Sequence, residues 1–168
     1  MTRADPAPIY RSTIGLKRWL GEVRPPRVVL ANGCFDPLHV GHVRYLYGAK
    51  QAGDFLVVAV NDDKSTRALK GPNRPVLPVR DRARLIASLE MVDAVLIFSA
   101  RDVVRILKKL RPHVHAKGTD YTTDTVPERE TSAALHIETV ITGDAKSHAS
   151  RDIVRQIERS TGKRLRSS

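Results

Sequence analysis

Two short apolar runs with a helical pattern between them constrain the fold of this chain more than any other feature. The first run is residues 27–32 (RVVLAN), which Gly33 ends, and the second is residues 55–60 (FLVVAV). A strand that is apolar at almost every position is typical of a parallel sheet covered on both faces. Residues 40–52, between the runs, repeat apolar side chains at helical spacing up to Gly53. The order strand, helix, strand predicts a βαβ unit.

The same alternation continues through the rest of the chain. Residues 62–79 are interpreted as a basic connection that contains Pro and Gly. Further strands are predicted over residues 94–98, 113–116 and 137–141, and further helices over residues 81–91, 102–110 and 152–157. Strands alternating with helices predict an α/β fold, a single domain with a doubly wound, mostly parallel, Rossmann-like sheet.

The two ends of the chain have a different character. A short amphipathic pattern after the possible cap Ser12 predicts a helix that packs outside the main sheet. The last residues are polar and basic. We therefore divide the chain into an N-terminal helical extension (residues 1–26), the main domain (residues 27–158) and a basic tail (residues 159–168).

Composition limits the functions that the chain can have. Its 29 Lys and Arg residues outnumber 18 Asp and Glu, so the net charge is +11 and a negatively charged partner is expected. Cys34 is the only cysteine, which excludes an internal disulfide and any multi-cysteine zinc or iron–sulfur site. No apolar run approaches the roughly 20 residues that span a bilayer, and no signal sequence is visible. A cytoplasmic protein without membrane contact is expected.

The positions of the basic residues matter more than their total. Residues 61–84 and residues 155–168 each carry a net charge of +4. The second segment is typical of a solvated end, whereas the first follows a predicted strand. In doubly wound sheets, ligands bind beyond the carboxyl ends of the strands. The site is therefore expected in the loops that follow the strands, at residues 33–40, 61–79, 99–101, 117–127 and 142–151.

The chemistry is carried by residues 32–42 (NGCFDPLHVGH), where the first strand leads into a helix. Gly33 lets the backbone approach a ligand, and the helix N-terminus offers unpaired N–H groups and the positive end of its dipole to a phosphate. His39 and His42 lie three residues apart and can donate hydrogen bonds to the same anion. Cys34 is interpreted as a packing residue, because no general base is placed to activate it. The motif predicts a phosphate site without a covalent nucleophile.

Six sequence blocks, in order, carry a resemblance to a known family. They are NGCFDPLHVGH (32–42), AVNDD (59–63), LKGPNRP (69–75), DR (81–82), VD (92–93) and KGTDY (117–121). The chain resembles the nucleotidyltransferases with an H-x-G-H motif, a cytidylyltransferase-like family. In particular it is similar to the adenylyltransferase domain of ADP-heptose synthases. These enzymes transfer AMP from ATP to D-glycero-β-D-manno-heptose 1-phosphate and release pyrophosphate.

The resemblance implies a set of site residues. His39, His42 and Lys70 would be catalytic: the histidines would hold the triphosphate, and Lys70 would bridge the acceptor and α-phosphates. Asp36 would lie near the phosphates or an ion, and Asp120 would help to fix the nucleoside or the sugar. The residues that would bind the nucleotide or its phosphates are Asn32, Gly33, Cys34, Phe35, Asp36, Gly41, Arg74, Arg82, Lys117, Gly118, Asp120 and Ser150.

The resemblance also implies cofactors and partners. ATP would be a substrate, and Mg²⁺ would be bound mainly through its phosphates, without a metal site built by the protein. The other partner would be a small phosphorylated acceptor, and the protein would form a homodimer.

Two segments depart from the family pattern and leave alternatives open. Relatives carry a Ser/Thr-rich turn before the last helix, whereas residues 147–152 (SHASRD) keep one matching hydroxyl at Ser150. Residues 124–130 also differ from typical heptose enzymes, so the acceptor is the least determined part. The alternatives are a cytidylyltransferase acting on glycerol 3-phosphate or another small phosphate, and an FMN adenylyltransferase.

A nucleic-acid-binding module is the alternative from another class, because the chain is strongly basic. Aromatic residues make up only 5% of the chain, and no motif for binding RNA or DNA is present. No nucleic-acid partner is therefore expected.

Overall fold

The computed structural model describes residues 5–144 and 150–161. Its six strands form one sheet in the order β1-β4-β3-β2-β5-β6, and every neighbouring pair is parallel. The strands are β1 (Ile9–Tyr10), β2 (Val28–Gly33), β3 (Phe55–Asn61), β4 (Ala94–Phe98), β5 (Val114–Gly118) and β6 (Glu138–Thr142). The predicted doubly wound α/β fold is confirmed.

Helices connect the strands and cover both faces of the sheet. They are α1 (Thr13–Val23), α2 (Val40–Gln51), α3 (Asp63–Lys70), α4 (Val79–Ala87), α5 (Val104–Leu110), α6 (Arg129–Ala134) and α7 (Ser150–Thr161). One core cluster joins residues of α2 and α4 to one face of the sheet, and a second joins residues of α1 and α5 to the other face. Val57 and Val58, adjacent on β3, belong to different clusters. This explains why β3 is apolar at successive positions.

The strand order places a crevice above β2. The chain leaves β2 for β3 on one side, whereas β5 pairs with β2 on the other side, with Leu30 opposite both Val57 and His115. This is the point where the strand order reverses, and open parallel sheets bind ligands there, beyond the carboxyl ends of the strands. The segment that follows β2 therefore lies at the position where a ligand site is expected.

The structure adds elements that the sequence patterns did not predict. The helix after Ser12 is confirmed, with the Ser12 side chain accepting a hydrogen bond from the Gly15 amide, but β1 precedes it and pairs with β4 at the sheet edge. Two residues are too few to show strand periodicity. The first 26 residues thus supply an edge strand as well as a helix, and the helix predicted over residues 81–91 is α4, which begins at Val79 and ends at Ala87.

Candidate active site

A cavity of about 690 Å³ opens at the carboxyl ends of the strands. It is lined by the segment between β2 and α2, the C-terminus of α3, and the segments after β4, β5 and β6. The predicted site residues among its lining are Asn32, Gly33, Cys34, Phe35, Asp36, His39, Gly41, His42, Lys70, Arg74, Lys117, Gly118 and Asp120. The structure therefore brings together most of the residues that the family resemblance implies.

The start of α2 fixes the two histidines of the motif. His39 is the N-cap residue, and its Nδ1 accepts a hydrogen bond from the Gly41 amide at 3.1 Å. The Nδ1 of His42 accepts in turn from the His39 amide at 3.3 Å. A neutral imidazole whose Nδ1 accepts a hydrogen bond carries its hydrogen on Nε2. Both rings are thus set to donate from Nε2, as a phosphate oxygen requires.

The rings of His39 and His42 are stacked, with centroids 3.8 Å apart. Burial, together with the neighbouring His39 and Lys70, lowers the pKa of His42 to about 3, against a smaller opposing effect of Asp120. His42 is therefore neutral near pH 7. The neutral ring keeps Nδ1 as the acceptor for the His39 amide and Nε2 as the donor for a ligand. The Phe35 ring meets the His42 ring edge-on at a centroid distance of 5.1 Å.

Tyr45 holds α2 against the sheet. Its buried hydroxyl donates to the Ala116 carbonyl at 2.8 Å and accepts from the Asn32 amide at 3.2 Å. Burial raises the pKa of Tyr45, so the hydroxyl keeps its proton. The Tyr45 side chain thereby connects α2 to both β2 and β5. It fixes the position of the turn that carries the two histidines relative to the strand ends.

Lys70 reaches the cavity from the last turn of α3, a helix that the sequence analysis interpreted as part of a loop. The helix is polar, and Ala68 and Leu69 are its only apolar residues. The missed signal is its cap: Asp62 lies at the N-cap, where its side chain accepts from the Ser65 amide at 2.7 Å. Basic residues in the last turn complement the helix dipole. Lys70 is exposed, and α3 fixes the position of its backbone at the cavity.

Asp36 lines the cavity, but its carboxylate holds the loop after α3. It accepts hydrogen bonds from the amides of Val76 and Leu77 at 2.8 to 2.9 Å and pairs with Arg74 Nε at 2.9 Å. The Asp36 side chain is fully buried, and that of Arg74 is 13% exposed. In this structure the carboxylate predicted to lie near the phosphates or an ion is engaged with protein groups. Asp36 therefore positions residues 74–77.

Arg82 occupies a different place from the one implied by the resemblance. It is fully buried and is not among the residues that line the cavity. Its guanidinium donates to the carbonyls of Leu77, Cys34 and Asn61 and to the Asp63 carboxylate, at 2.6 to 2.8 Å. The expectation that Arg82 contacts phosphate is corrected: its hydrogen bonds join α4 to the ends of β2 and β3, beneath the site.

A buried polar cluster lies at the end of β5. Lys117 Nζ lies 3.2 Å from Glu128 Oε2 and 3.4 Å from Asn32 Oδ1, and His115 Nε2 lies 3.1 Å from the same Asn32 oxygen. Burial, together with the charge of Lys117, lowers the pKa of His115 to about 4, against a smaller opposing effect of Glu128. His115 is thus a neutral side chain near pH 7 and is buried within the structure.

Several lining residues were missed by the sequence analysis. They are Arg44, Tyr45, Asn61, Arg101, Asp102 and Glu128, among others. Arg44 pairs with Asp144 at 2.9 Å. Arg101 could have been predicted, because it is the last residue of the loop at residues 99–101, one of the loops in which the site was expected. For Arg44 and Glu128 only the three-dimensional arrangement places the side chain at the cavity.

The lining residues bear on the expected Mg²⁺. In residues 5–144 and 150–161, no group of three or more His, Cys, Asp or Glu side chains is placed to hold a metal ion. The cavity does contain separate carboxylates, Asp102, Asp120 and Asp144. Mg²⁺ typically takes one or two carboxylates with substrate phosphates and keeps several waters. The donors present fit an ion held mainly by a bound triphosphate.

One predicted site residue, Ser150, falls at the edge of the described residues. Ser150 is the first residue of α7, and its side chain, like residues 145–149 before it, lies outside the described residues. No helix in the described ranges has the length and apolar character needed to cross a membrane.

The cytidylyltransferase-like family model matches residues 30–160, which is most of the chain and contains the whole cavity. The chain belongs to the cytidylyltransferase-like family. The H-x-G-H segment and the basic α3 segment of this family member therefore lie within the matched region. The family predicted from the six sequence blocks is confirmed.

Curated relatives support the same assignment. The chain is 53% identical over 100 residues to the bifunctional protein HldE of Methylobacillus flagellatus, a match that covers 60% of this chain and 20% of that protein. It is 44% identical over 128 residues to HldE of Geotalea uraniireducens, covering 75% of this chain and 26% of that protein. The chain thus spans about a quarter or less of these relatives.

Solved structures share the fold. A lipopolysaccharide core biosynthesis protein from Thermoplasma volcanium matches with a TM-score of 0.61 and 27% identity, over 71% of this chain and 98% of that chain. A pantoate-β-alanine ligase from Francisella tularensis matches with a TM-score of 0.64 over 88% of this chain and 72% of that chain, at 13% identity, which shows the fold alone. Family and relatives together support a nucleotidyltransferase.

Proposed function

We propose that this cytidylyltransferase-like domain transfers AMP from ATP to a sugar phosphate such as heptose 1-phosphate and releases pyrophosphate. The observation that carries the proposal is the pair of stacked imidazoles at the start of α2, both held with Nε2 as the donor. Adenylyl transfer to a heptose rests on the resemblance of the six sequence blocks to ADP-heptose synthases and agrees with the similarity to HldE proteins.

The reaction needs no nucleophile from the protein. An oxygen of the acceptor phosphate attacks the α-phosphorus, the bond to the oxygen bridging α and β breaks, and pyrophosphate leaves with the electron pair. Catalysis then consists of positioning the two phosphates and stabilising the charge that builds up on the transferred group. This fits a cavity whose only thiol, Cys34, is buried and lies beside the Asn61 amide oxygen at 3.9 Å.

Each catalytic residue then has a distinct task. The Nε2–H groups of His39 and His42 would donate to phosphate oxygens while each Nδ1 keeps its hydrogen bond from a backbone amide. Lys70 would contact the acceptor phosphate and the α-phosphate together from the end of α3. Mg²⁺, when bound through the phosphates, would neutralise part of the triphosphate charge. Homodimer formation stays a prediction.

A pyrophosphate-release screen tests the proposal. ATP, CTP, GTP and UTP are each combined with heptose 1-phosphate, glycerol 3-phosphate and FMN in the presence of Mg²⁺. The expected result is release that requires both ATP and heptose 1-phosphate, with the ADP-linked sugar identified by mass spectrometry. Release with CTP and glycerol 3-phosphate would replace the substrate assignment and keep the reaction. A folded protein that releases pyrophosphate with no pair, and binds random duplex DNA in a salt-dependent way, would overturn the proposal.

A further inference from the structure

Two helices on one face of the sheet have basic outer sides. α1 and α5 pack against each other on the face opposite α2 and α4. On α1, the exposed Lys17 and Arg18 lie three and four residues after the exposed Ile14, a spacing that places all three on one side of the helix. Leu16 and Leu20 of the same helix pack into the core beneath it. The charged side of α1 is therefore turned away from the sheet.

α5 repeats this arrangement beside α1. Arg105, Lys108 and Lys109 are exposed at the same three- and four-residue spacing, whereas Ile106 and Leu107 are buried in the core. The fold thus joins two basic helix sides that are far apart in the sequence, and counting charge by segment did not reveal them. We call the joined sides the α1–α5 surface, which consists of Ile14, Lys17, Arg18, Arg105, Lys108 and Lys109.

The charge of the α1–α5 surface is not compensated by its surroundings. Within residues 5–144 and 150–161, none of its five cationic side chains makes an ion pair. Glu22 is the one acidic residue of the two helices, which end at the exposed C-cap residues Arg24 and Arg111. The helices with their caps carry a net charge of +6, compared with +11 for the whole chain. A surface with this charge attracts an anionic partner.

The apolar and aromatic residues of this layer decide between possible anionic partners. Ile14 is 65% exposed, one helix turn from the cations of α1. The aromatic rings of Tyr10 and Trp19 are occupied, because they pack against each other and Trp19 packs against Phe55. Single-stranded nucleic acids bind to basic grooves through aromatic side chains that stack on the bases. Cations around an exposed aliphatic side chain instead suit the interface of an anionic bilayer.

We propose that the α1–α5 surface binds the protein to anionic lipid membranes, with its cations at the lipid headgroups and Ile14 in the interface. The expectation of no membrane contact rested on the lack of a spanning segment, and contact at the surface of a bilayer requires none. None of the surface residues lines the cavity, so the nucleotide site stays open when the surface is covered. The inference does not depend on the proposed function.

Co-sedimentation with lipid vesicles tests the proposal on the whole chain. One set of vesicles is phosphatidylcholine alone, and the other contains about one third phosphatidylglycerol, which is anionic. We expect partition onto the anionic vesicles at an ionic strength of about 0.05 M, and its loss at about 0.5 M because salt screens the attraction. Equal partition onto both sets of vesicles, or none onto the anionic set at low salt, would overturn the proposal.

A pair of double variants assigns the binding to this surface. Each cation near an anionic leaflet is worth about a fivefold change in partition, so Lys17→Gln/Arg18→Gln should lower partition about twentyfold. The matched control, Arg80→Gln/Arg84→Gln, removes the same charge from exposed residues of α4 on the other face of the sheet, and should change partition by less than about twofold. An equal loss in both variants would contradict the proposal, since net charge alone would then explain the binding.

Ile14→Ser distinguishes a lipid surface from a nucleic acid. Partition onto anionic vesicles should fall about fivefold, because an aliphatic side chain no longer enters the interface. Unchanged partition contradicts the proposal, and binding of duplex DNA that Lys17→Gln/Arg18→Gln abolishes would then assign the surface to nucleic acid. If that double variant is unfolded by circular dichroism, Lys108→Gln/Lys109→Gln is measured with the same expected result. Pyrophosphate release by the folded variants should equal that of the wild type, which separates this test from that of the proposed function.

Discussion

Replacing Arg82 by methionine should destabilise the fold and leave nucleotide binding by the folded protein intact. The guanidinium is fully buried and donates to three carbonyls as well as to Asp63, whose side chain is 38% exposed. Removing one partner of a buried charged network costs about 3–5 kcal/mol, and the partial exposure of Asp63 favours the lower end. For a chain of this length, about 3 kcal/mol corresponds to a fall in Tm of about 6–12 °C.

The assay is thermal unfolding followed by circular dichroism, with KM for ATP measured well below the transition. Arg84→Met is the matched control, because Arg84 lies on the same helix and is exposed. We expect its Tm to stay within about 1 °C of the wild-type value, as surface substitutions usually change stability by less than about 0.5 kcal/mol. An Arg82→Met protein with unchanged Tm and a strongly raised KM for ATP would refute the reasoning, since those results are expected of a residue that binds the ATP phosphates.

Three further predictions concern the site and its support. His42→Ala should lower kcat about a hundredfold or more, the usual loss when one donor to a transition state is removed, in a protein that stays folded by circular dichroism; near wild-type turnover would contradict the assignment. His115 has a folded-state pKa of about 4, below its unfolded value, so its contribution to stability is complete above about pH 6.5 and falls as the pH drops. Chemical denaturation should show that the free energy of unfolding of the wild type falls by about 3 kcal/mol between pH 6.5 and pH 4 because of this residue, and His115→Gln should lack that part of the pH dependence. The same pH dependence in both proteins would contradict this contribution of His115. Asp36→Asn should lower the hydrogen-exchange protection of the Val76 amide by about tenfold or more, because a charged acceptor is lost; unchanged protection would show that Asp36 does not hold the loop.

The parts of the fold that sequence could predict are those in which burial imposes a pattern. The strand predicted over residues 94–98 has the same bounds in the structure, because a strand covered on both faces must be apolar throughout. The two-residue β1 and the polar α3 have no such pattern. α3 is stabilised by its Asp62 cap and by Arg82, which reaches Asp63 from another helix. Local sequence does not contain that contact.

The candidate site shows the same division. The H-x-G-H segment could be predicted because its spacing within one helix turn sets the geometry of His39 and His42. Arg82 and Glu128 could not be placed, since a charged residue reads as exposed until the structure shows what surrounds it. Arg82 lies beneath the cavity and Glu128 lines it, and only long-range packing distinguishes the two positions.

The reverse reaction tests the central claim most directly. The protein is mixed with ADP-heptose, labelled pyrophosphate and Mg²⁺, and formation of labelled ATP is followed for the wild type and for His42→Ala. We predict labelled ATP with the wild type, at least about a hundredfold less with His42→Ala, and no exchange of label into ATP when ATP and pyrophosphate are supplied without the sugar. Exchange in the absence of the sugar would require an adenylylated protein, and it would contradict direct transfer between two bound phosphates.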